Sequence, residues 1–294
     1  MSTPHKAEPT QTEITTESPS AEPSWGNSYR LVATEKWKAK SSAMGKAVTE
    51  ALVEYAQPRP GMQVLDLASG TGEPAITIAS RIGPDGHITA LDLSADLLEI
   101  AAERARRRGF EHLSTQQADA QSLPFPGNSF DLATSRFGVM FFPDMQRAFR
   151  ELLRVLKPGA RACFAVWGSK EQPYFSSSIG VVHRHVGGPL VAPGGADPFR
   201  FAEAGSLSGA MSMAGFAEVH EETRIAPWTW PGTAEEVWEQ QQATAAPFRS
   251  LLSRVKPDQW STLNAEIHNS IRKYQNGENI KFTATIVLAS GRKP

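Results

Sequence analysis

The chain has a single cysteine, Cys163, among 294 residues. It can therefore hold no internal disulfide and no thiolate metal cluster. It also lacks an excess of either charge: 30 basic and 31 acidic residues leave a net −1. Such a balance produces no field to gather nucleic acid, and no basic domain stands out. No apolar run approaches the roughly twenty residues needed to cross a bilayer, and there are no internal repeats. Residues 1–24 have no apolar core of the kind a signal peptide needs, and their acids argue against a transit peptide. Rich in Ser, Thr, Pro and Glu, they are expected to form a disordered tail. With 40% hydrophobic and 21% charged residues, the composition is that of a globular, cytoplasmic protein without a membrane span. Arg104, Arg106, Arg107 and Arg108 look like a basic patch. They close a helix that starts at Ser94, with Asp96 in its first turn and Gly109 past its end, where cations favour the helix dipole.

What is present is concentrated in Val64-Leu65-Asp66-Leu67-Ala68-Ser69-Gly70-Thr71-Gly72. An apolar run ends in a carboxylate, a glycine-rich turn follows, and Pro74–Ser80 then has helical apolar spacing. This is the strand, tight loop and helix of a nucleotide-binding βα unit. Glycine is needed where backbone must approach a ligand and a Cβ would collide. Twenty residues beyond Gly72 a second strand, Ile88-Thr89-Ala90-Leu91, ends at Asp92, placed to accept hydrogen bonds from ribose hydroxyls. An adenine nucleoside cofactor is expected. Gly70-x-Gly72-x-x-Ala75 also fits the loose dinucleotide fingerprint. However, Asp66, just before the glycines, would repel a pyrophosphate and attract a cation such as the amino group of S-adenosylmethionine.

The segment VLDLASGTG resembles the first motif of class I S-adenosylmethionine-dependent methyltransferases, with Ala68 where that pattern most often has glycine. The resemblance continues in order for about a hundred residues. Ala90-Leu91-Asp92-Leu93-Ser94 is similar to the second motif. Gln117-Ala118-Asp119-Ala120, followed by Leu123-Pro124-Phe125, is similar to the third. Phe130–Ser135 reads as the fourth strand, its end facing the reaction centre, and Leu153–Gly159 matches the turn into strand five, Arg161–Trp167. Within the superfamily the likeness is to small-molecule enzymes of the ubiquinone/menaquinone C-methyltransferase type (methyltransferase type 11). It implies an α/β, Rossmann-like, doubly wound sheet of seven mostly parallel strands. The last strand should lie antiparallel between strands five and six. It further implies S-adenosylmethionine as cofactor, S-adenosylhomocysteine as product, and a cofactor site from Asp66, Ala68, Gly70, Thr71, Gly72, Asp92, Leu93, Asp119, Ala120 and Ser135, with Tyr29 from the lead-in. Asp92 would receive the ribose and Asp119 the adenine amino group. One cysteine argues against arsenic methylation, which uses several in the related family.

Around that core, residues 25–60 read as a helical lead-in, with helical spacing from Ala43 to the break at Pro58. Residues 61–294 form the cofactor-binding domain. Strand and helix alternate five times to residue 168, as parallel strands with right-handed crossovers require. Cover insertions are expected at about 169–205 and 231–276. Between them lie a helix near Leu207–Met213 and strand six near Ala217–Ile225. The second insertion holds two or three helices, the first opened by the capping box of Thr233 and Glu236. Ile280–Ala289 alternates as the closing strand.

Methyl displacement from a sulfonium needs mainly positioning, with a general base where a hydroxyl or C–H must lose a proton. Some relatives have a histidine pair after strand four; here Phe141-Phe142 stands at about that place. The catalytic group is therefore unassigned, with His183, His185 and Tyr29 as candidates, or a substrate acidic enough to need no base. Trp25, Tyr29, Phe175, Phe199, Phe201, Trp228, Trp230 and Trp238 enrich the cover segments; at least half should be core. A pocket they wall would suit a flat apolar acceptor such as a phenol, quinone or polyketide. Lead-in signatures of the housekeeping quinone enzymes are not found. The alternatives are a non-catalytic cofactor-binding protein of the same fold and an NAD(P)-dependent oxidoreductase. Nucleic-acid methylation is disfavoured, because Ser135-Arg136-Phe137-Gly138 is no Asn/Asp-Pro-Pro-aromatic motif. No metal is expected.

Overall fold

Short runs of apolar residues set the frame. A computed structural model describes residues 35–294; the expectations for residues 1–24, Trp25 and Tyr29 lie outside that range. Strands β1 (Gln63–Leu67), β2 (His87–Asp92), β3 (Leu113–Gln117), β4 (Phe130–Arg136) and β5 (Leu156–Trp167) run parallel. Val64, Leu65, Leu67, Ile88, Ala90 and Ala133 are fully enclosed or nearly so, because helices cover both faces of a parallel sheet. The first of these helices is α1 (Glu35–Ala56), which buries Met44, Val48, Leu52 and Val53. It is followed by α2 (Ala75–Ile82), α3 (Ala95–Arg107) and α4 (Met145–Val155). Ser94 caps α3, its hydroxyl accepting from the Leu97 amide.

Spatial order is β3-β2-β1-β4-β5-β8-β6, with β6 at Ala217–Pro231 and β8 at Asn279–Arg292. Strand order reverses between β1 and β4, and a crevice opens outside the carboxyl ends of such strands. β8 lies antiparallel between β5 and β6, as the resemblance implied. A two-residue β7 (Gln275–Asn276) pairs with β8 and adds an eighth strand to the expected seven. Strand six also runs past its expected end at Ile225. Its alternation continues through buried Ala226, Trp228 and Trp230, while Pro227 and Pro231 are tolerated because β6 is an edge strand. Ile286 of β8 pairs with both Trp167 and Arg224. The seven residues 225–231 therefore rise beyond the end of β5, by roughly 20 Å at about 3.3 Å per residue.

The cover hangs on this ribbon. Between β5 and β6 come α5 (Pro173–Ser176), α6 (Ile179–Val186) and α7 (Ser206–Ala214). Between β6 and β7 come α8 (Ala234–Ala243), α9 (Arg249–Leu252) and α10 (Trp260–Arg272). Thr233 and Glu236 form the expected capping box at α8. Glu236 also accepts from Lys40 Nζ at 2.6 Å and Trp230 Nε1 at 3.2 Å, tying α1 and β6 to the cover. Lys157-Pro158-Gly159, read as a turn before strand five, lies within β5 as a bulge. Pairing shifts from Phe130–Leu156 to Leu132–Arg161, and Gly159 takes φ +74°. Among the described residues no helix is long and apolar enough to cross a membrane.

Candidate active site

Four strand ends meet at the switch point. Asp66 is the fourth residue of β1 and is fully buried. One carboxylate oxygen accepts from Ser69 Oγ at 2.5 Å, the other from Thr134 Oγ1 of β4 at 2.7 Å. Burial pushes its carboxyl up to about 7, against the two hydroxyl hydrogen bonds and the Arg136 charge. Asp66 therefore stands behind the glycine loop as a partly neutral acid, with both oxygens engaged.

The loop itself needs left-handed backbone. Gly70 has φ +54°, and a Cβ built on it would meet nothing within 4 Å; only open space faces it. Gly72 differs. Its Cβ would lie 2.8 Å from Ile76 Cδ1 and 3.1 Å from Ala101 Cβ, so that glycine lets α2 and α3 pack. Ala68 holds φ +51° despite its side chain. Its methyl group fills the space over Gly138, where a second Cβ would come within 2.5 Å of it. Alanine at 68 thus depends on glycine at 138.

Asp92, half-buried at the end of β2, accepts from the Gly70 amide at 2.9 Å and the Ser94 amide at 2.9 Å. Burial raises its pKa, and those amides oppose the rise. Leu93 beside it is 58% exposed, a large apolar side chain left in water at the crevice. The Asp119 carboxylate accepts from the backbone amide of Gln121 at 2.8 Å and from its side chain, and Ala120 is buried. Ser135, fully buried, donates to the Leu67 carbonyl at 2.8 Å and stitches β4 to β1. The Thr71 carbonyl accepts from Arg104 of α3.

The histidines are elsewhere. His183 bonds the Gly188 carbonyl at 2.9 Å at the end of α6, and His185 pairs with Glu266 of α10 at 2.6 Å on the exposed cover surface. Neither is brought to the glycine loop by any contact. Among the described residues no group of three or more His, Cys, Asp or Glu is placed to hold a metal ion.

Three features escape local sequence reading. Arg104 does more than close its helix: besides Thr71, it pairs with Glu73 at 3.2 Å, both side chains largely buried, and so clamps the loop from behind. Thr134 reaches Asp66 because β1 and β4 are in register there. Just beyond β4, Phe137 holds φ +60° and lies flat on Trp167, centroids 4.1 Å apart and planes 14° apart. Non-glycine residues in such conformations cost about 1–3 kcal/mol and cluster at functional sites. Phe175, Phe201, Trp228, Trp230 and Trp238 are core, and Phe199 is half-buried. Phe199 lines a groove of about 690 Å³ with Ser169, Lys170, Leu190, Val191 and Asp197, outside the end of β5. Its lining is more charged than the aromatic content suggested.

Residues 41–186 match the model of the ubiE/COQ5 methyltransferase family. The chain is similar to the demethylmenaquinone methyltransferase of Listeria welshimeri, 41% identical over 104 residues, or 35% of this chain and 44% of that one. Across such curated relatives the matches span about half of their length, 43% to 53%. In structure it is similar to the YcgJ protein from Bacillus subtilis, with 22% identity and a TM-score of 0.54, covering 83% of this chain and 97% of that one. It is equally similar to the [4+2]-cyclase SpnF: 24% identity, TM-score 0.54, covering 88% and 83%. These two likenesses show the fold, which does not by itself fix the reaction.

Proposed function

We propose that this chain, a UbiE-like class I methyltransferase in sequence from residue 41 to 186, transfers a methyl group from S-adenosylmethionine to a planar, largely apolar hydroxyarene. One observation carries the reading. At the switch point the Asp92 carboxylate accepts from the Gly70 amide while the Cβ side of Gly70 faces open space, and the buried acid Asp66 bonds Ser69 behind the loop. A ribose acceptor, a backbone without side chains and a negative field suit an adenosine that carries a cationic tail. They do not suit a pyrophosphate, which disfavours a nicotinamide cofactor.

The chain's residues then have these roles. Asp92 would accept from the ribose hydroxyls of the bound cofactor. Gly70 and Thr71 would let the cofactor lie against backbone, Gly72 holds the loop by letting α2 and α3 pack, and Leu93, Ala120 and Asp119 would hold the adenine. Asp66 supplies negative potential from behind the loop, since its oxygens already serve Ser69 and Thr134. When bound, the cofactor supplies a methyl group already activated on a sulfonium. The protein's remaining task is to hold the acceptor in line and exclude water. The segments 169–205 and 231–276 cover the site, and the groove beside Phe199 admits the acceptor. His183 and His185 are engaged on the cover surface, which supports an acceptor that arrives already ionised.

Calorimetry with S-adenosylmethionine and S-adenosylhomocysteine tests the reading. Both should bind in the micromolar range. Hydrogen bonds to a charged group are worth about 1.5–3 kcal/mol each, so Asp92→Ala should weaken binding at least about a hundredfold with the circular dichroism unchanged. Absence of binding to either compound by the folded wild type would sink the proposal.

A further inference from the structure

Trp228 carries a feature that the core does not explain. Its ring is 6% exposed, and its indole Nε1 is buried with no hydrogen-bond partner among the described residues. The neighbouring tryptophans of the cover are satisfied: Trp230 donates to Glu236 and Trp238 to Asn264 Oδ1 at 2.8 Å. Buried N–H groups are almost always paired, so an orphan calls for a reason. Its position supplies one. Trp228 stands on the β6 ribbon four residues beyond Arg224, which is level with the end of β5. Its ring meets Phe137, Trp167 and Tyr174 edge-on, at centroid distances of 6.2, 5.0 and 5.6 Å. Phe137 is the strained residue after β4, and the next residue, Gly138, packs on Ala68 of the glycine loop. A continuous path of contacts therefore runs from the cofactor loop to the unpaired N–H.

We infer that Trp228 is the acceptor-binding residue: its indole N–H donates to the ionised hydroxyl oxygen of the planar acceptor. Phe137 and Trp167 form the apolar wall beside it. This deepens the methyltransferase reading and rests on it. A donor aimed at an anion favours the phenolate over the neutral phenol, which removes the need for a base at this site. Discrimination would be strong, because a ligand without that oxygen leaves the buried N–H unpaired.

The experiment uses the full chain saturated with S-adenosylhomocysteine, and 2-naphthol as probe, its ionised form read by absorbance across a pH series. Bound naphthol should ionise at least about one pH unit lower than free naphthol. In Trp228→Phe that shift should vanish, with naphtholate affinity falling about tenfold to a hundredfold and that of neutral naphthol far less. A second readout does not depend on the variant. In wild-type protein the Trp228 indole N–H proton resonance should move downfield with naphtholate and stay put with naphthalene. Equal naphthol ionisation in both proteins would overturn the inference. So would a resonance indifferent to bound naphtholate. S-adenosylhomocysteine binding without the Trp228 effect removes this inference alone; failure to bind it removes the reading beneath.

Discussion

If Asp66 supplies the negative field behind the loop, binding of a cationic cofactor must expel its proton. Buried among Ser69 and Thr134, its carboxyl is pushed up to about 7. At pH 6.5 such a group is about three-quarters protonated, and at pH 8 about one-tenth. A positive charge within about 4–6 Å lowers a carboxyl pKa by about 1–3 units. Taking about 2 units, S-adenosylmethionine should release about 0.7 proton per molecule bound at pH 6.5 and about 0.1 at pH 8. Calorimetry in two buffers of different ionisation enthalpy measures this number directly. Asp66→Asn should bind the cofactor more weakly and release almost no proton at either pH. Release that is the same at both pH values, or that persists in the asparagine variant, would refute the reasoning. Stability provides a cross-check whose sign is fixed. Folding raises this carboxyl from 3.8, so the folded state holds the proton more tightly than the unfolded chain. The stabilisation is full below about pH 4 and is lost as pH rises to about 7, by at most about 4 kcal/mol at 1.36 kcal/mol per unit. Melting of Asp66→Asn should lack that slope.

The Ala68–Gly138 contact and the Arg104 clamp are also open to test. Gly138→Ala places a Cβ 2.5 Å from both the Ala68 methyl and Ser135 Oγ, and overpacking of this kind should cost about 1–3 kcal/mol. Combining it with Ala68→Gly should restore part of that loss in a thermal-melt double-mutant cycle, whereas strictly additive changes would argue against the contact. Ala68→Gly alone relieves a left-handed alanine, worth about 1–2 kcal/mol, against the freedom glycine adds to the unfolded chain. It should leave the melting temperature unchanged or raise it by a few degrees. Arg104→Ala leaves the largely buried Glu73 to Arg108 at 3.9 Å and the Thr77 hydroxyl. It should destabilise by less than a fully stranded buried charge, which costs about 3–5 kcal/mol, with a loss of S-adenosylhomocysteine affinity seen by calorimetry. Melting that falls while affinity stays constant would show that the clamp supports the helices and not the loop.

Local pattern was enough to define the central fold and its strand, glycine loop and helix at residues 66–82. Short apolar runs closed by Asp66 and Asp92, glycines at 70 and 72, and caps at Ser94 and Thr233 each express constraints within a few residues of chain. Such constraints survive in a one-dimensional reading. The order of motifs then implied the order of strands, including β8 between β5 and β6. What lay beyond reach depends on pairs distant in sequence. Thr134 serves Asp66 across 68 residues only because two parallel strands share a register. Arg104 reads as a helix-end cation until α3 is docked beside the loop, and Trp230 reads as cover until β6 is seen to run on past β5. The bonds of the candidate bases His183 and His185 to the Gly188 carbonyl and to Glu266 depend on how the cover helices pack. The wall of Phe137, Trp167 and Trp228 joins the ends of β4 and β5 to the ribbon of β6, which no local periodicity connects. Sequence sets what each segment is; only tertiary structure sets which side chains meet, because that is decided by register, rotation and packing across the whole sheet.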